Sequence, residues 1–220
     1  MNYNSKNNSK NNSDVAVMLR EAGILFAITL IAGVMLGFVY ELTKEPIRIQ
    51  QEKAVQEACM AVFPDSGENL VFEQIQYAPE PETVEALAAE GVEIGSVYSA
   101  RMRGADDTLA GYVVESVTSE GYGGEIVLYV GVAIDGSIGG VSILDISETP
   151  GLGMEAPKVL TPQFAGKSVE SFTYTKTGSR TESEVDAISG ATITTKAVVN
   201  AVNGALRVTQ NLLSGGGANE

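Results

Sequence analysis

Histidine is absent from all 220 residues, and cysteine occurs once, as Cys59. The first absence excludes Ser-His-Asp and Cys-His catalysis, together with the usual imidazole-ligated metal sites. The second leaves this chain unable to form an internal disulfide or a four-thiolate cluster. Cys59 sits in the apolar helical stretch Ala58-Cys59-Met60-Ala61-Val62 and reads as a small buried hydrophobe. Any redox chemistry must therefore be carried by a bound organic cofactor. Basic residues are also scarce: 14 Lys and Arg stand against 28 Asp and Glu, for a net charge of −14. That balance repels phosphate backbones and argues against a nucleic-acid partner. Glycine is abundant, at 24 residues, but falls in short clusters between apolar runs, as turns and close-approach sites do.

Residues 1–14 are dominated by Asn, Ser and Lys and have almost nothing to bury, so a disordered tail is expected there. Ala22 to Tyr40 then runs nineteen residues without a charge, long enough to cross a bilayer core as a helix. A cleaved secretory signal would have a shorter apolar core and a small-x-small cleavage site. The chain instead continues Tyr40-Glu41-Leu42-Thr43-Lys44, which favours an uncleaved transmembrane anchor over 15–43. Lys6, Lys10 and Arg20 precede the span and Lys44, Arg48 and Lys53 follow it, so the flanking charges tie on orientation. Gly33 and Gly37, like Gly23 and Ala27, have the spacing that lets a second helix approach, although glycine is common in membrane helices generally.

Residues 44–213 are expected to form one α+β domain, with 214–220 a flexible tail. A helix leaves the membrane over Thr43–Phe63 and stops at Pro64. Strands are expected at 70–75, 96–102, 109–117, 125–134 and 141–146, the last two joined by an Asp135-Gly136 hairpin. A short helix is expected from Pro79 to Glu90. A final helix from Thr192 to Leu213 aligns Ile193, Ala197, Ala201, Ala205, Val208 and Leu212 on one face.

The stretch Asp186-Ala187-Ile188-Ser189-Gly190-Ala191-Thr192-Ile193-Thr194-Thr195-Lys196 reads as a loop entering that helix, with Ser189 as the N-cap. Gly190 and Ala191 are small enough for a ligand to touch the backbone. Free N–H groups and the positive end of the helix dipole meet there, as in an anion site. Thr192 presents a hydroxyl on the first turn, and Lys196 lies one turn further along. An ordinary capped helix has the same pattern.

The tetrad Ser189-Gly190-Ala191-Thr192, followed by a hydrophobe and Thr194-Thr195 with Asp186 upstream, resembles the flavinylation motif of FMN-binding domains. That family includes the G subunit of Rnf-type ion-translocating complexes and the C subunit of sodium-translocating NADH:quinone reductase. The resemblance implies that a magnesium-dependent flavin transferase cleaves FAD and esterifies the FMN half onto Thr192. Ser189, Gly190 and Ala191 would shape the recognition loop, Asp186 would belong to the transferase signature, and Thr194, Thr195 and Lys196 would complete the cofactor segment. Thr194 and Thr195 are the nearest rival acceptors.

Glu148-Thr149-Pro150-Gly151-Leu152-Gly153 resembles the family's second hallmark, a loop after a strand that lines the flavin site. Pro150 stiffens it, and Gly151 and Gly153 leave room for a flat ring near the backbone. Gly121-Tyr122-Gly123-Gly124 also matches the family and reads as a strained turn. Neither glycine cluster fits the G-x-G-x-x-G fingerprint of a Rossmann fold. Family members often have His where this chain has Ile146 and Pro where it has Glu125, so neither position is given a role. The resemblance implies a single-pass subunit with its domain on the extracytoplasmic side and covalent FMN. Its partners would be the other membrane and iron–sulfur subunits of a ferredoxin:NAD complex, the flavin transferase during maturation, and membrane lipid. It would pass electrons between flavin and neighbouring centres and perform no turnover alone. The other readings are a quinone-reductase subunit, a stand-alone surface flavoprotein reductase, and a non-redox module holding an anion at the helix start.

Overall fold

Alternating apolar residues build a sheet whose two faces are covered by different helices. The structure, a computed structural model, describes residues 5–66, 69–104 and 107–215, with side chains from residue 17 onward. It divides into two compact units, residues 1–52 and 53–220. The first is formed by the greater part of helix α1, Ser5–Ala61. One window of this helix reaches a mean hydropathy of 2.5, and none of that window is buried against protein. It is long and apolar enough to cross a membrane. The helix begins inside the segment expected to be a disordered tail, since propagation from an existing helix needs no new nucleus. Residues 1–4 and 216–220, the ends of the two expected tails, lie outside the described residues.

In the second unit, β1 (Leu70–Ile75), β2 (Val92–Met102), β3 (Leu109–Thr118), β4 (Ile126–Ala133) and β5 (Ile138–Ile146) form one antiparallel sheet in chain order. Between β1 and β2 lies α2, Pro81–Ala89. The last helix, α4, runs from Thr192 to Leu213. Val97, Val114, Ile126, Leu128, Val130 and Val132 share a core with Ala197, Val198, Ala201, Val202, Ala205 and Leu206 of that helix. Each large apolar side chain, fully buried, contributes roughly 1.5–3 kcal/mol. The Ser116 hydroxyl donates to the Ala201 carbonyl at 2.9 Å and fixes α4 across the strands.

The opposite face packs Ala100, Val113 and Tyr129 against Ala58 and Cys59 at the end of α1 and the following Val62 and Phe63. A Cβ on Gly131 would lie 2.7 Å from Val62 Cγ2, so glycine there is what lets the chain sit down on the sheet. β4 is thus covered on both sides, which accounts for its nearly unbroken apolar run.

The expected strands are all present, with β2 beginning four residues earlier than its β-rich core suggests. The Asp135-Gly136 hairpin forms: Gly136 has φ +82°, and the Asp135 carboxylate accepts from both the amide and the hydroxyl of Ser137. Three features are not expected from the sequence. β6 (Thr173–Thr175) and β7 (Glu184–Asp186) form a parallel pair. α3 (Ala156–Val159) is flanked by 3-10 turns at Gly153–Glu155 and Thr161–Gln163. On α4, Ile193 is 53% exposed, so the core face begins beyond it and excludes this one expected member.

Cys59 is buried as expected. Burial first, and the Glu115 carboxylate second, push its thiol from 9.0 up to about 12. Tyr129 in the same cluster is raised as well, by burial and then by Glu115. Acids held protonated by folding stabilise the domain fully below their unfolded pKa, and lose that contribution as pH climbs toward the folded value. Denaturant midpoints should therefore fall from about pH 9 upward, and Cys59→Ala should flatten part of that slope. An unchanged slope in the variant would show that the thiol is not held in this environment.

Candidate functional site

Two loops and a helix start meet at one cleft of about 490 Å³, lined by Tyr122, Glu148, Thr149, Leu152, Gly153, Gly190, Ala191, Thr192, Ile193 and Thr194. The segments Glu148–Gly153 and Ser189–Thr192 are far apart in sequence, and the fold brings them into contact at two glycines. A Cβ on Gly153 would lie 2.7 Å from Thr194 Oγ1 and 2.8 Å from both Cβ and Oε2 of Glu148. A Cβ on Gly190, whose φ is +79°, would lie 3.0 Å from Leu152 Cδ2. Gly153 is therefore seated on the first turn of α4, and Gly190 against the side chain of the facing loop.

Glu148 ties in a third segment. It is only 8% exposed, and its Oε1 accepts the Tyr122 amide at 2.7 Å. The turn 121–124, read from sequence as a strained turn, thus forms one wall of the cleft. Tyr122 is 71% exposed and stands at the mouth with the exposed Leu152 and Ile193. Sequence reasoning missed Tyr122 and Ile193 as cleft residues. The available signal was a large apolar side chain between glycines at Tyr122, and the hydrophobe directly after Thr192.

The helix start differs from the expected cap. α4 begins at Thr192 with Ala191 at the N-cap and no side-chain cap bond, while Ser189 is exposed and outside the cleft. The first helical bond runs from the Thr195 amide to the Ala191 carbonyl at 3.0 Å. The amides of residues 192–194 thus lack an intrahelical acceptor and open on the cleft with the positive end of the helix. A Ser, Thr or Asp in the cap position would have used one of those donors itself.

The three threonines separate by burial. Thr195 is fully buried, its hydroxyl accepting from the Ile188 amide at 3.1 Å and donating to the Ala191 carbonyl at 2.9 Å. It braces the loop and leaves no atom for a ligand. Thr194 is 1% exposed at the base of the cleft, and Thr192 is half-buried in its wall. Lys196 is exposed and outside the cleft lining.

Asp186 also lies away from the cleft. Its carboxylate accepts from the amide and hydroxyl of Ser179, at 2.6 and 3.4 Å. The Gln163 side chain accepts from its amide and donates to its carbonyl. Gly151 is likewise outside the cleft: its φ is +76°, and a Cβ there would meet nothing within 4 Å. Its left-handed φ by itself accounts for a glycine in this turn. Ile146 packs against the main core, and Glu125 is exposed outside the cleft.

Residues 121–207 match the FMN-binding domain family, and residues 11–62 match the RnfG N-terminal region. The G subunit of the Na(+)-translocating ferredoxin:NAD(+) oxidoreductase complex of Acetobacterium woodii is 33% identical over 206 residues, covering 90% of this chain and 95% of the relative. The chain belongs to the RnfG family. The G subunit of the proton-translocating ferredoxin:NAD(+) oxidoreductase complex of Clostridium ljungdahlii is 31% identical over 195 residues, covering 85% of this chain and 92% of that one. The crystal structure of Shewanella oneidensis NqrC shares the fold, with a TM-score of 0.55 at 16% identity, over 76% of this chain and 99% of that one. This RnfG-family chain therefore contains an FMN-binding domain.

The cleft suits that cofactor class. Unpaired amides at the α4 start match a phosphate, and the exposed faces of Tyr122, Leu152 and Ile193 match a flat apolar ring. The two glycines of the second loop can be told apart by substitution. Gly151→Ala should cost about 1–2 kcal/mol of domain stability through its left-handed φ alone. Gly153→Ala should cost about 1–3 kcal/mol through overpacking, and should also disturb the cleft. Chemical denaturation gives the costs, and amide NMR shifts around Thr194 report the cleft. Equal shifts at Thr194 in both variants would contradict the distinction.

Proposed function

We propose that this chain is a membrane-anchored electron-transfer subunit of an ion-translocating ferredoxin:NAD oxidoreductase complex, with FMN joined through a phosphoester to Thr192. The observation that carries the reading is the convergence of both hallmark loops and the uncapped start of α4 on one cleft, with Thr192 in its wall. The relatives of closely matching length bear the names of G subunits of such complexes. When bound, FMN supplies one- and two-electron redox chemistry that no side chain of this chain offers.

Burial supports Thr192 over its neighbours. The Thr195 hydroxyl is consumed by two backbone bonds, and Thr194 is almost closed to solvent. Thr192 combines a hydroxyl on the cleft with amides that can receive the phosphate oxygens. Ser189, Gly190 and Ala191 act as the loop the flavin transferase reads, and Thr149, Leu152 and Gly153 as the opposite wall. Asp186 acts by holding the 179–186 loop in place.

The apolar part of α1 serves as the anchor, within residues 15–43, and is followed by the FMN-binding domain from residue 44 to 213. The domain faces the extracytoplasmic side, where a covalent link keeps a cofactor that could not readily be replaced. Other membrane and iron–sulfur subunits of the complex are its partners. A stand-alone surface reductase would need its own substrate-handling groups, and among the described residues the cleft is lined by a single charged side chain, Glu148.

Thr192→Ala should fold and remain colourless when co-expressed with the transferase, whereas wild type should gain the mass of FMN less one water. Full flavin occupancy in the variant would move the linkage elsewhere. Topology is tested with a chain in which Cys59→Ala is combined with Ser214→Cys, because Ser214 is exposed just past α4. An impermeant thiol reagent should label it in intact cells. Protection until lysis would place the domain on the cytoplasmic side.

A further inference from the structure

The turn between β3 and β4 lines two openings. Tyr122 stands in the wall of the cleft already described, while Ser119 before it and Glu125 after it line a groove of about 460 Å³. The two share no lining residue. The groove runs between α2 and the sheet, and its apolar lining is Val84, Leu87 and Ala88 from α2, Val92 and Ile94 from β2, and Val117 from β3. Its floor is firm. Leu87 and Val92 are buried, and each would lie 2.9 Å from a Cβ on Gly204, so both seat directly on α4. Asn211 donates to the Thr83 hydroxyl at 3.3 Å, and Arg207 pairs with Glu90 at 3.2 Å, which holds both ends of α2 against the same helix. Val84, by contrast, is 47% exposed at the rim.

The charges around this groove are of one sign. Five Glu fall in residues 79–94 and two in residues 117–125, with no Lys or Arg in either segment. Glu93 and Glu125 belong to the lining itself and are exposed. Arg207, which reaches α2 from α4, is already taken by Glu90. We propose that the groove docks a segment of another subunit of the complex in which a large apolar side chain is flanked by Lys or Arg. The proposal rests on the subunit reading above. The apolar side chain would fill the preformed floor as an anchor, and the cations would meet Glu93 and Glu125 at the rim. A second copy of this chain, with its net charge of −14, would bring like charge to the groove. Anionic lipid headgroups would be repelled in the same way. A subunit seated here lies against the turn whose Tyr122 forms the cleft wall, so the surface places it beside the proposed flavin.

The test uses the full-length tagged chain in its native membrane, with Val84 replaced by a photo-reactive benzoylphenylalanine and the complex purified after illumination. Other subunits should co-purify with wild type. A wild-type chain that purifies alone would overturn the subunit reading, and the occupant of the groove with it. Given co-purification, the probe should cross-link to another subunit, at a peptide that peptide mass identifies as apolar with adjacent Lys or Arg. Combining Glu93→Lys with Glu125→Lys should lower that yield by roughly tenfold, because it sets like charges against each other. Intact mass and melting temperature confirm that the charge-reversed chain still folds and carries its cofactor. A complex that assembles while the probe labels only lipid, a second copy of this chain or nothing would overturn the groove alone. An undiminished yield in the charge-reversed chain would overturn the basic partner segment.

Discussion

The cleft depends on how Gly153 seats against the first turn of α4. Two loops far apart in the chain must approach until backbone meets side chain, and any Cβ at that point would occupy the space of Thr194 and Glu148. That approach closes one side of the cleft. It also explains why the Glu148 side chain is buried. Its carboxylate is the acceptor that holds the Tyr122 turn, so one residue connects the strand-following loop, the α4 start and the opposite wall.

The sheet supplies the rigidity this meeting point requires. β4 is covered on both faces, so the end of β5, paired with it as far as Ile146, leaves the sheet in a fixed direction two residues before Glu148. On the other side, α4 is fixed by its apolar face and by two side-chain clamps. Ser116 bonds the Ala201 carbonyl, and Asn203 bonds both backbone groups of Phe172. Gln163 does for Asp186 what Asn203 does for Phe172, standing in as a strand partner for an exposed stretch of backbone. Sites built on elements held this way keep their geometry better than sites on free loops.

Much of this is legible in the sequence, and the limits have physical causes. Short runs rich in β-branched and aromatic residues mark the five strands, and the Asp135-Gly136 pair marks its hairpin, because both signals are local. The apolar helix over Ala22–Tyr40 is visible for the same reason. β6 and β7 are not, since three-residue polar strands such as Thr173-Tyr174-Thr175 have no periodicity, and their parallel pairing depends on what lies between. Residues of both motifs line one cleft, while Ser189 and Lys196 lie outside its lining. Ser189 looks like a cap because its residue type favours caps. The helix starts later, at Thr192, behind Ala191, whose side chain cannot cap. Lys196 looks like a phosphate partner by helical spacing alone, which says nothing of where a long exposed side chain ends.

The uncapped start of α4 has a consequence for how function and stability are divided in this domain. Most helices satisfy their first amides with a Ser, Thr, Asp or Asn side chain, and losing such a cap costs roughly 0.5–2 kcal/mol. Here Ala191 occupies the cap position, and Thr195 turns its hydroxyl back to Ile188 and Ala191 instead of outward. The chain forgoes local stabilisation at the one helix end that opens on the cleft, and recovers rigidity from a buried threonine one turn inside. The same substitution of roles recurs in the facing loop. Gly151 carries the strained turn outside the cleft lining, while Gly153, next but one, carries the contact. Separating the residue that shapes the backbone from the residue that meets the neighbour leaves the cleft's own atoms free for a ligand. An anion would then bind amides that are already fixed in position, without the ordering cost a flexible loop would impose.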